Sequence, residues 1–137
     1  MKLTNDQFEE AAYIFEKANG NSHSDYEKKI IAESELKDMS IDKLEKIIVD
    51  GLNSNIYKTE SQRTSAYWSL SKIGNHNLIS DFKYWLELEL KNDQKTTIFQ
   101  ILIALENLGE PVFHDKRTGR AADEIELNIR DAKNYLN

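Results

Sequence analysis

The chain has 137 residues, of which 39% are hydrophobic and 31% charged, and it carries a net charge of −6 with a pI near 5.1. That length supports one domain, residues 1–137, with a continuous core and no need of a metal or disulfide staple. The absence of cysteine excludes a disulfide framework, a cysteine nucleophile and thiolate metal sites, and the acidic balance argues against nucleic-acid binding, which depends on neutralising phosphates.

No stretch alternates apolar and polar residues for long, and only one proline and five glycines interrupt the chain. The expectation is an all-α fold of about seven helices, over 4–19, 25–37, 41–53, 60–74, 78–92, 94–108 and 121–136. The opening "MKLTNDQFEEAAYIF" breaks its apolar residues with Glu9 and Glu10, unlike a secretory leader. No apolar run nears the ~20 residues that span a bilayer. A cytoplasmic protein without membrane association is expected.

In chain order, Thr4 and Gln7 read as a capping box before a first helix that aligns Phe8, Ala11, Ala12 and Phe15. Ser24 and Glu27 open the second helix in the same way. Ser40 caps the third, with Asp42 in its first turn and Leu44, Ile47, Ile48 and Leu52 on one side. Thr59 and Gln62 box the fourth, whose stripe is Ala66, Leu70 and Ile73; Trp68 falls on the opposite side, expected to pack on the preceding helix. Asn77 is the expected cap of the fifth helix. Its apolar side is Ile79, Phe82, Leu86 and Leu90, and Ser80, Tyr84, Glu87 and Lys91 share the polar side. Asp93 is the expected cap of the sixth helix. That helix, "TIFQILIALENL", is apolar nearly all round and is expected at the centre, with the fifth and seventh against it. Asp123 with Glu126 would cap the last, which aligns Ile125, Ile129, Ala132 and Leu136. Because a helix of the same chain can cover the sixth, a monomer is expected in the unbound state.

One phrase occurs twice. In "SLSKIGNHNLI" and "ALENLGEPVF", Leu70, Ile73 and Gly74 fall on Leu105, Leu108 and Gly109 after a shift of 35 residues. Each is a helix ending followed by glycine, which tolerates the left-handed conformation that closes a helix. Helix pairs repeating every ~34–47 residues are the mark of α-solenoids, so a short HEAT-like stack of helical hairpins is expected.

Chemical motifs are sparse. His76, His114, Asp115 and Asp131 resemble the order of ligands in HD-type metal phosphohydrolases, but His114 and Asp115 follow Pro111 in a predicted loop and His76 sits in a turn. "DKRTGR" gathers Lys116, Arg117 and Arg120 around Gly119; it reads as a solvated connector, as a phosphate-holding loop, or as a segment in which Arg117 pairs with an acid on the last helix. No glycine pattern marks a nucleophilic serine. The expectation is a protein without catalytic residues, cofactor or metal.

The segment "RTSAYWSLSKIGNHNLISDFKYWLELEL…TIFQILIALENLGEPVF" resembles the small HEAT-like immunity proteins of bacterial polymorphic toxin and contact-dependent inhibition systems, the immunity protein 30 group, over about residues 60–136. The resemblance implies a non-enzymatic protein that binds and neutralises a cognate toxin domain, often a basic nuclease. An acidic surface suits such a partner. The partner-binding residues expected are Tyr84 and Glu87 on the fifth helix, with Glu110 and Asp115 in the loop after Gly109. Two other readings are a HEAT-like scaffold or adaptor for an ordinary cellular protein and a small helical metal-dependent hydrolase.

Overall fold

A computed structural model describes every residue except Ser22. Among the described residues there are seven α-helices and one short 3-10 turn, and no strand, so the protein is all-α. The chain divides into two compact units, Met1–Gly74 and Asn75–Asn137.

The first unit holds α1 (Asn5–Ala18), α2 (Asp25–Glu33), α3 (Ile41–Asn53) and α4 (Glu60–Leu70). Here α1 packs on all three others, and α3 also meets α4. The predicted stripe of α1 is buried in full: Phe8, Ala11, Ala12 and Phe15, joined by Ile14. Capping boxes form at Thr4–Gln7, Ser24–Glu27 and Thr59–Gln62, and Ser40 caps α3. Trp68 is half-buried, with the Lys72 ammonium 5.6 Å from its ring centroid.

The second helix is shorter than predicted. The Ser34 hydroxyl accepts the Leu36 backbone N–H at 3.0 Å, and Ser34 adopts an extended ψ of 138°. A local side-chain acceptor thus replaces the helical one, and the turn that follows buries Leu36 completely. The fourth helix also stops early, at Leu70 rather than Gly74. The next amides bond three residues back, and the Asn19 amide donates to the Lys72 and Ile73 carbonyls at 2.7 and 2.8 Å.

The second unit begins with the 3-10 turn His76–Leu78 and holds α5 (Ile79–Lys91), α6 (Lys95–Asn107) and α7 (Ile125–Leu136). As expected, α6 packs against both α5 and α7, burying Ile98, Ile101, Leu102, Ala104 and Leu105. Its ending matches the prediction for Gly109, whose φ is +86°. The Gly109 N–H bonds the Glu106 carbonyl and the Glu110 N–H bonds the Leu105 carbonyl, a Schellman closure. Gly74, the other copy, also has a left-handed φ, +72°.

Three predicted caps move. Asn75, not Asn77, caps the 3-10 turn, and α5 then begins at Ile79, with Leu78 in the cap position and no side-chain cap. Asp93 is claimed by the helix before it: with φ +55° it closes α5 in a Schellman motif, and α6 starts from Gln94 without a side-chain cap. Asp123 and Glu126 do not cap α7, which starts at Ile125 after Glu124. The buried face of α7 is also rotated from the predicted stripe. Asn128, Asp131 and Ala132 are buried, whereas Ile125, Ile129 and Leu136 are only half-covered.

Candidate partner-binding surface

Helix α5 is held from one side only. Phe82, Trp85 and Leu86 are buried, and the Phe82 and Trp85 rings meet edge to face at 5.5 Å. At 100° per residue the opposite side carries Ser80, Tyr84, Glu87 and Lys91, and all four are exposed. Tyr84 is 56% exposed, and Leu88, one turn further on, is 38% exposed. Two large side chains thus project from a helix whose other side is fixed in a core. The aromatic and the charge were legible in the sequence; Leu88 was not, because apolar residues at 86, 88 and 90 leave its side undecided.

Glu110 lies half-buried in the segment that follows α6. Its carboxylate accepts the Tyr135 hydroxyl at 2.7 Å and lies 4.0 Å from the Lys83 ammonium. Lys83 in turn sits 5.2 Å from the Tyr135 ring centroid. Burial, and then the bond to Glu110, push the Tyr135 hydroxyl far above its ordinary range. One end of α7 is therefore fastened to the α6–α7 loop beside Lys83, the residue before Tyr84. The Glu110 charge is partly absorbed by this cluster. Asp115 is exposed, 3.3 Å from His114 Nδ1.

The "DKRTGR" segment is built around Arg117. Its side chain is 2% exposed and pairs with Asp131, itself 1% exposed, at 3.1 Å. It also donates to Asn128 at 2.8 Å and to Glu124 at 3.3 Å, and its guanidinium lies 5.2 Å from the Phe113 ring centroid. Asp131 further accepts the His114 backbone N–H at 3.3 Å and two bonds from Arg130. Burial works against the Asp131 charge, but the bonds from Arg130, His114 and Arg117 outweigh it and hold the carboxyl below its ordinary value. Arg120 bonds Glu106 at 3.1 Å, and its guanidinium lies 4.9 Å from the same Phe113 ring centroid. Of the three sequence readings for this segment, internal pairing of Arg117 with an acid on the last helix is the one observed.

These bonds also occupy Asp131, the proposed last member of a metal set. Among the described residues no three His, Cys, Asp or Glu side chains are grouped to hold a metal ion. His76 is exposed at the start of the 3-10 turn, and the His114 ring nitrogen Nδ1 accepts the Lys116 backbone N–H at 3.1 Å. Among the described residues no helix is long and apolar enough to cross a membrane.

No protein-family model, curated protein or solved structure matches this chain.

Proposed function

We propose that this chain is a cytoplasmic immunity protein of the HEAT-like kind, which binds a basic toxin domain and occludes its active site. The observation that carries the reading is the outward pair Tyr84 and Leu88 on α5, beside Glu87 and opposite a packed core. A rigid aromatic anchor supplies contact area at little entropic cost, and a neighbouring carboxylate meets arginine or lysine on the partner. The second unit carries 11 acidic and eight basic side chains, which favours a cationic partner. Glu110 and Asp115 complete the proposed contact set from the α6–α7 segment.

The test is to express the products of the genes that flank this one and to run a pull-down and binding titration against any basic toxin domain among them; the absence of such a domain would count against the reading. Tyr84→Ala should weaken binding by about 2 kcal/mol or more, with the melting temperature unchanged. Equal affinity for Tyr84→Ala and the parent would place the interface elsewhere.

A further inference from the structure

The first unit contains a cavity of about 340 Å³ between the end of α1 and one side of α2, lined by Lys17, Asn21, His23, Lys28, Ile31 and Ala32. The floor is apolar. Lys28, Ile31 and Ala32 are spaced to share one side of α2, and Lys17 comes from the last turn of α1. Two lysines and a histidine line one hollow in a chain whose net charge is −6.

His23 makes the hollow more than a surface dent. Its side chain is 3% exposed, and Nδ1 lies 2.9 Å from Glu27 Oε2. Glu27 is held below the ordinary carboxylate range, first by His23 and then by the Ser24 hydroxyl and backbone N–H. It is therefore ionised and can only accept, so Nδ1 carries the hydrogen. Nε2 is left as a buried acceptor, and among the described residues it has no hydrogen-bond partner. A buried polar atom without a partner is costly in a finished fold, and a ligand that supplies one removes that cost. The Tyr13 ring, edge-on at 6.1 Å, helps to fix the imidazole.

We propose that this cavity binds a small organic carboxylate whose apolar body carries a hydroxyl group. The ammonium groups of Lys17 and Lys28 attract the carboxylate, Ile31 and Ala32 receive the apolar part, and the ligand hydroxyl donates the buried hydrogen bond to His23 Nε2, which the carboxylate, having no hydrogen, could not supply. The volume is roughly eleven times the ~30 Å³ share of one water molecule, which admits a body of about ten non-hydrogen atoms. A bare phosphate would leave the apolar floor uncovered.

4-Hydroxybenzoate is a suitable probe, tested on the full chain labelled with nitrogen-15. Saturable shifts are expected in the amides near residues 17–32 and in the His23 ring nitrogens, with a Kd of about 1 mM or tighter. 4-Hydroxybenzyl alcohol, uncharged but similar in shape, and benzoate, which lacks the hydroxyl donor, should each bind at least about tenfold more weakly. Lys17→Gln with Lys28→Gln, both at exposed positions that leave the helices intact, should weaken 4-hydroxybenzoate by about tenfold or more. Five results would overturn the proposal. They are no saturable shift up to ~20 mM 4-hydroxybenzoate, equal binding of 4-hydroxybenzyl alcohol, equal binding of benzoate, equal binding of inorganic phosphate, and undiminished affinity in the double lysine variant.

Discussion

Asp131 is the acid on which the α6–α7 segment depends, and Asp131→Asn isolates its charge. The substitution keeps the shape but turns one oxygen into an NH2 group, which must then face either Arg117 or Arg130. Arg117 is 2% exposed and, among the described residues, would keep the half-exposed Glu124 alone as a counter-charge. Breaking a buried pair on one side costs ~3–5 kcal/mol. Two features place the effect at the lower end. Asn128 still accepts from Arg117, and the Arg130 side chain, 44% exposed, can return to solvent. The expected loss is about 3 kcal/mol.

The assay is urea unfolding followed by Trp85 fluorescence in a Trp68→Phe background, because Trp85 is buried in the second unit and Trp68 lies in the first. Replacing both partners, Arg117→Met with Asp131→Leu, should cost less than Asp131→Asn alone, since no charge is then left buried. The folded carboxyl titrates below its ordinary value of 3.8. Its contribution is therefore complete above that value and lost as pH falls through the folded one. The gap between parent and Asp131→Asn should close as the solution is acidified through that range. A loss under ~0.5 kcal/mol at neutral pH, the size of a surface pair, would refute the view of Arg117 and Asp131 as the fastening of this segment.

Gly109→Val should destabilise by about 1–2 kcal/mol or more, through backbone strain, because φ is +86° and, among the described residues beyond its two chain neighbours, no atom lies within 4 Å of the site of an added Cβ. Gly109→Asn should lose less than half as much, since Asn55 already adopts φ +58° after α3; equal melting temperatures for Val and Asn would contradict this. Gly51→Ala places a Cβ 2.6 Å from the ring of Tyr57, which is buried, bonded to the Leu3 N–H and set against Phe8. Overpacking of ~1–3 kcal/mol should exceed the ~1 kcal/mol gain in helix propensity, and a raised unfolding midpoint would show that Tyr57 can move.

The sequence made some elements readable and hid others for a physical reason. Thr4–Gln7, Ser24–Glu27 and Thr59–Gln62 were legible because a capping box needs only two side chains three residues apart. The exposure of Tyr84 and Glu87 followed from helical periodicity alone. Asp93 misled because the same residue type can open a helix or close one, and the chain at α5 chose the second. The α2 ending turned on one Ser34 hydroxyl bond. The stripe predicted for α7 failed because Arg117, 14 residues away from Asp131 in sequence, makes a polar face worth burying.

That last case bears on how the partner-binding surface should be weighed. Acidic side chains counted along a sequence overstate the field outside the protein, because some are spent within it. Asp131 is consumed by Arg117 and Arg130, and Glu110 is shared with Tyr135 and Lys83. Of the four residues expected to meet a partner, Glu87 and Asp115 stand exposed with their charge, and Tyr84 with its ring. Charge at such rim positions mainly speeds encounter, whereas a desolvated aromatic sets the rate of escape. The proposed affinity therefore rests on Tyr84 and Leu88, with Glu87 and Asp115 steering the approach. Raised salt should then slow association by the parent protein while leaving its dissociation rate nearly unchanged.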